Sequence, residues 1–155
     1  MPEASAQVVL AFDFGLRRIG IAAGDTVSRT AAPQGAVRVH QGAVDWSLID
    51  RTIQTFRPDL LVVGNPLNAD GTAGSLSAAA DRFALALGQR SHLPVRRTDE
   101  YASSLEALEQ LKGQRSSGQR RRRVQRADID SAAAAIILER WLNRQQVRDG
   151  SERDG

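Results

Sequence analysis

Val8–Asp25, VVLAFDFGLRRIGIAAGD, is the stretch whose reading decides the fold. Val8 to Phe12 form a short apolar run, the pattern of a strand buried on both faces. Asp13 follows, a carboxylate where the pattern asks for another core side chain. Two residues on, Gly15 makes a sharp reversal sterically easy. Ile19, Ile21 and Ala22 resume an apolar strand with Gly20 inside it, and a glycine there lets backbone or ligand approach closely. The segment therefore reads as two strands joined by a tight, charged turn. An acid at the mouth of a central strand is costly unless its charge is compensated, and a metal ion is the obvious compensation.

Outward from this hairpin, the chain of 155 residues has the size of one domain, expected to occupy 1–155 with 1–7 and 144–155 flexible. Its 41% hydrophobic and 25% charged content are those of a folded globular chain. No run of about 18 uncharged apolar residues is present, so no membrane partner is expected. The opening MPEASAQ lacks the basic and apolar pattern of a signal peptide, and a cytoplasmic location is the default expectation. With no cysteine, disulfides, thiolate catalysis and thiolate metal sites are excluded. Net charge is +3, but the basic residues are unevenly spread.

After the hairpin, Ala36–Val39 supplies a third strand. Trp46, Ile49, Ile53 and Phe56 recur at helical spacing, with Pro58 just beyond as a stop. Leu60–Val63 is a fully buried strand running into the turn-rich GNPLNADGT. Leu76, Ala80, Phe83 and Leu87 mark a second helix with Ser75 as its cap. Pro94–Thr98 is a strand ending at Asp99 and Glu100, and Leu105, Leu108 and Leu111 lie on a short helix. A last helix spans about Asp130–Asn143. The order β-β-β-α-β-α-β-α-α implies an α/β fold with a mixed five-stranded sheet and helices on both faces.

Acids recur at three similar structural places: Asp13 ends the first strand, Asp99 and Glu100 end the last strand, and Asp130 opens the final helix with Asp128 just before it. Carboxylates meeting there would raise one another's pKa unless a divalent cation neutralises them. Hard oxygen ligands with no neighbouring His or Cys point to Mg²⁺ or Mn²⁺. Such ions can activate a water and stabilise a leaving oxygen in phosphodiester cleavage. Each acid also has an ordinary reading: a turn for Asp13, a helix cap for Asp128 or Asp130, a solvated strand end for Glu100.

Four motifs, in order over roughly residues 8–143, carry a resemblance. DFGLRRIGIA (Asp13–Ala22) matches Asp-x-Gly-x-x-Arg-Ile-Gly-x-Ala, and VGNPLNADG (Val63–Gly71) matches Val-Gly-x-Pro-Leu-Asn-x-Asp-Gly. DEY (Asp99–Tyr101) stands at Asp-Glu-Arg, and DSAAAAIILERWL (Asp130–Leu142) at an Asp followed by an alanine-rich Ile-Leu helix. The chain thus resembles the YqgF or RuvX family, described as Holliday-junction-resolvase-like and as pre-16S rRNA nucleases. The resemblance implies an RNase H-like fold and a metal-dependent endonuclease with Asp13, Glu100 and Asp130 as its acidic triad. It implies processing of ribosomal RNA precursor at the 5′ end of pre-16S rRNA. Two departures stand out: Tyr101 replaces an arginine, removing a bidentate phosphate contact, and Asn65 replaces an apolar residue. Tyr101 could stack on a base instead.

Lys112, Arg115, Arg120, Arg121, Arg122, Arg123 and Arg126 lie in one stretch without an intervening acid, close in sequence to Asp130. Such a run is either a solvated face or a grip on phosphates beside an acidic centre that would otherwise repel them. Arg17 and Arg18 at the first turn have the same two readings. Asn68 is a candidate phosphate or metal-water contact, and Asp70 an accessory metal ligand, because their loop follows a buried strand at the sheet's carboxyl edge. His40 and His92 have no partner at metal-ligand spacing, and Ser103 and Ser104 have no visible His–Asp relay. The expected partner is nucleic acid, as structured RNA or branched DNA, met by a monomer or a homodimer. Two alternatives to an rRNA nuclease remain: a Holliday junction resolvase, and a catalytically silent RNA-binding ribosome-assembly factor. An actin-type ATP-binding fold shares the Asp-x-Gly hairpin, but the chain is too short for its paired domains.

Overall fold

The structure, a computed structural model, describes residues 6–64, 75–100, 102, 104–116 and 125–154. Its elements are β1 (Val8–Phe14), β2 (Arg18–Asp25), β3 (Ala31–His40), β4 (Ala43–Val44), α1 (Trp46–Phe56), β5 (Leu60–Gly64), α2 (Ser75–Ser91), β6 (Val95–Thr98), α3 (Ser104–Ser116) and α4 (Arg126–Asp154). The strands form one mixed sheet in the order β4-β3-β2-β1-β5-β6. The β1–β2, β2–β3 and β3–β4 pairs are antiparallel; β1–β5 and β5–β6 are parallel. Among the described residues the sheet has six strands rather than five, because Val39 and His40 pair with the two-residue β4, too short to leave an alternating pattern.

The pleat of β1 sorts its side chains onto two faces. Leu10, Phe12 and Phe14 join Ile19, Ile21, Leu61 and Val63 against α1 and α2. Phe83 of α2 meets Phe12 edge-on with centroids 5.7 Å apart, and Trp46 of α1 stacks on Phe83 at 5.5 Å. Each such fully buried side chain contributes about 1.5–3 kcal/mol. Helix α1 starts where Asp45 accepts a hydrogen bond from Ser47 N, and stops where Arg57 turns left-handed at φ 47°.

The opposite face carries Val9, Ala11, Ala22, Leu60 and Val62, and onto it packs α4 through Ala134, Ala135, Leu138 and Trp141. Helix α3 then packs on α4 through Ala107 and Leu111 against Ala132 and Ala133. Helices therefore cover both faces, as expected. Helix α4 is longer than its apolar pattern: it begins at Arg126 and runs to Asp154, so the polar stretch from Arg144 onward is helical. Among the described residues, no helix is long and apolar enough to cross a membrane.

Candidate active site

Asp13 lies inside β1, one residue before its end, and pairs directly with Gly20 of β2. It continues the row Val9, Ala11, so its side chain stands on the face that α4 covers. A Cβ on Gly20 would lie 2.0 Å from the carbonyl oxygen of Asp130 and 2.9 Å from Ser131 N. Only a glycine lets α4 rest this closely on β2. The same stripe continues at Gly24, whose added Cβ would meet Leu138 Cδ2 at 3.1 Å, and at Gly64, where it would meet Ile137 Cδ1 at 3.2 Å. Gly20 thus acts on packing: it sets α4 so that Asp130 faces Asp13. Burial, and then the negative charge of Asp130, push the Asp13 carboxyl up from 3.8 to about 7.

Asp130 stands in the second turn of α4 rather than at its opening, because the helix starts four residues earlier. Its Oδ2 accepts a hydrogen bond from Arg18 Nε at 2.5 Å, with both side chains about a quarter exposed. The helix cap falls to Asp128, whose Oδ2 accepts from Gln125 N at 2.8 Å. Asp128 thus serves the helix start.

Glu100 is engaged by an arginine, although its backbone lies near the end of β1: a Cβ on Gly64 would be 3.6 Å from the carbonyl oxygens of both Glu100 and Phe12. Glu100 Oε1 is 3.1 Å from Arg144 Nη1, and the same guanidinium donates to Thr98 Oγ1 at 2.9 Å. Among the described residues, no three His, Asp or Glu side chains lie close enough to hold one ion together. The structure therefore brings two of the three acids together and ties the third to an arginine.

Beside Asp130 opens a cavity of about 500 Å³ whose lining includes Arg17, Arg18, Arg38, His40 and Arg126. Arg18 and Arg38 are directly opposed across β2 and β3. Val39 N donates to Arg17 O at 2.9 Å, tying the hairpin turn to β3 and fixing the cavity's rim.

Comparison with known proteins decides the family. Residues 7–144 match RuvX, described as "Holliday junction resolvase". The chain belongs to the RuvX family. It is 44% identical over 147 residues to a Xylella fastidiosa (strain M23) protein named "Putative pre-16S rRNA nuclease", spanning 92% of this chain and 94% of that one. A Xanthomonas oryzae pv. oryzae (strain PXO99A) protein of the same name is 42% identical over 146 residues, with the same coverage of both. In fold, the chain is similar to Thermus thermophilus RuvC in complex with Holliday junction substrate, with TM-score 0.53, 16% identity, and 90% of this chain and 96% of that one covered. It is likewise similar to the yeast mitochondrial Holliday junction resolvase Ydc2, with TM-score 0.50, 13% identity, and 89% and 78% covered. The fold is that of the RNase H-like resolvases.

For this RuvX chain, several residues singled out from sequence, namely Asn68, Asp70, Tyr101, Arg120, Arg121, Arg122 and Arg123, lie outside the described residues. Arg17 and Arg126 are exposed at the cationic cavity, and Arg18 is shared between it and Asp130. Sequence reasoning missed Arg38, His40 and Arg144. The first two sit at alternate positions of β3, and the register that sets Arg38 opposite Arg18 is not readable from spacing alone. Arg144 was hidden by its place in a polar segment expected to be a flexible tail.

Proposed function

We propose that this chain is a divalent-metal-dependent endonuclease acting on structured nucleic acid, working as one domain over residues 1–155. Its substrate in this reading is ribosomal RNA precursor at the 5′ end of pre-16S rRNA, cut in the cytoplasm. The observation that carries the proposal is the Asp13–Asp130 pair at the carboxyl end of β1, with one carboxyl displaced to about 7. Two facing carboxylates in a partly desolvated site are a structural cost that a bound cation offsets. The names of the relatives at 42–44% identity support the choice of RNA.

The donor set fits a hard ion: two carboxylates, in a chain without cysteine. Asp13 and Asp130 would hold Mg²⁺ or Mn²⁺, and Glu100 would join them on leaving Arg144. When bound, such an ion activates a water and stabilises the leaving oxygen of a phosphodiester. Arg18 orients the Asp130 carboxylate and offsets its charge. The cationic residues beside it supply positive charge for phosphates that the acids alone would repel.

The test is cleavage of a pre-16S 5′-leader RNA by pure protein with Mg²⁺ or Mn²⁺. Wild type is expected to cut and Asp13→Asn to lose activity. Cleavage undiminished in Asp13→Asn would overturn the assignment. The family's own description favours a second reading, a resolvase on branched DNA. A four-way DNA junction run beside the RNA separates the two, and binding without cleavage of either would mark a silent assembly factor.

A further inference from the structure

Arg38 is placed at a cost. It stands directly opposite Arg18 on the neighbouring antiparallel strand, and like charges so opposed are destabilising. Arg18 spends its charge on Asp130. Arg38 is exposed and, among the described residues, makes no ion pair. Two residues on, the exposed His40 projects from the same side of β3. Both line the 500 Å³ cavity whose other wall is the start of α4 at Gln125 and Arg126. That wall adds the positive end of a 29-residue helix. A concave site lined by Arg17, Arg18, Arg38 and Arg126 suits a phosphodiester anion.

We infer that the cavity between β3 and α4 is an anchoring subsite for the nucleic-acid backbone, in which Arg38 and His40 bind phosphates flanking the one at Asp13 and Asp130. The inference rests on the nuclease reading and deepens it. The strand enters over the outer half of β3, past His40 and Arg38, and reaches Arg18 at the edge of the acidic pair. Arg38 and His40 are binding residues and touch no reacting atom. Arg17 and Arg126 complete the rim.

The experiment measures binding of a labelled stem–loop RNA and an immobile four-way DNA junction by fluorescence anisotropy, in EDTA, across a salt series. The chains are wild type, Arg38→Ala, Arg38→Ala with His40→Ala, and Arg51→Ala, an exposed α1 residue on the sheet's other side, as control. The double variant is expected to bind roughly tenfold more weakly, with its salt slope reduced by about one to two, as lost phosphate contacts require. Arg51→Ala should match wild type. Melting temperatures report on folding: removing Arg38 relieves a like-charge pair, so Arg38→Ala should melt no lower than wild type, whereas a structural role predicts a lower melt. Unchanged affinity and slope in the double variant, with wild type binding in EDTA and cutting in the separate assay with Mg²⁺ or Mn²⁺, would overturn the anchoring subsite and leave the nuclease reading intact. A wild type that neither binds nor cuts either nucleic acid would overturn both.

Discussion

A Cβ on Gly20 would lie 2.0 Å from the carbonyl oxygen of Asp130, so the site is assembled at a contact that admits no side chain. Gly20→Ala forces α4 off β2. Overpacking of this kind costs about 1–3 kcal/mol, and here it also moves Asp130 relative to Asp13. Gly20→Ala should lower stability in urea unfolding and weaken Mn²⁺ binding together. Gly113 is the control: on the exposed side of α3, its added Cβ meets nothing within 4 Å. Gly113→Ala should gain about 0.5–1 kcal/mol and leave ion binding alone.

The displaced Asp13 carboxyl gives a pH dependence of definite sign. Its pKa rises from 3.8 to about 7 on folding, so between those values the folded state holds a proton the unfolded chain has released. Stability from this group is therefore fully present below about pH 4 and is lost as pH rises towards 7. Asp25 acts in the opposite sense and in another window. Hydrogen bonds from Ser28 hold it below 3.8, so its contribution is lost only under stronger acid. Asp13→Asn should be more stable than wild type at pH 8, by the order of 2–4 kcal/mol, and about equal at pH 4. Urea unfolding of both proteins at the two pH values measures this. Because an ion must displace that proton, Mn²⁺ affinity of wild type should rise with pH through neutrality.

How much of this was legible follows from where the information resides. Burial pattern and glycine placement are local, so Val8–Asp25, Leu60–Val63 and Trp46–Phe56 could be read from periodicity and stop signals. The special status of Asp13 was legible for the same reason, since an acid breaks an apolar run. Non-local geometry was not legible. Helix α4 begins four residues before Asp130 because Asp128 and Gln125 close its first turn, a polar cap that an apolar pattern does not register. Glu100 was paired with the other acids by sequence logic, yet in the fold it meets Arg144, a residue that spacing alone places in a tail. Arg38 and His40 acquire meaning only through the β2–β3 register.

Arg18 joins the hairpin to the acid pair, and removing it should separate stability from ion binding. Without an ion, Arg18→Ala leaves Asp130 unpaired beside Asp13. The lost charge-assisted hydrogen bond, partly exposed, is expected to cost about 1–2 kcal/mol. The local potential also becomes more negative, so Mn²⁺ should bind several-fold more tightly by calorimetry while RNA binds more weakly. A parallel fall in both affinities would show that Arg18 acts on the shape of the site rather than on its charge.

The Arg144–Glu100 pair tests whether the third carboxylate belongs to the site. With side chains 40% and 23% exposed, the pair itself contributes little, about 0.5–1 kcal/mol, so Arg144→Ala should fold with a small loss in urea unfolding. Its effect on ions is the informative one. If Glu100 joins Asp13 and Asp130 in the loaded state, the arginine competes with the ion for the same carboxylate, and its removal should raise Mn²⁺ affinity. Adding Glu100→Gln to that variant should abolish the gain, because the amide supplies no charge. Calorimetric titration of wild type, Arg144→Ala, Glu100→Gln and the double variant closes the cycle. Should Glu100→Gln bind Mn²⁺ as wild type does, Glu100 is a structural partner of Arg144 and the ion rests on Asp13 and Asp130 alone.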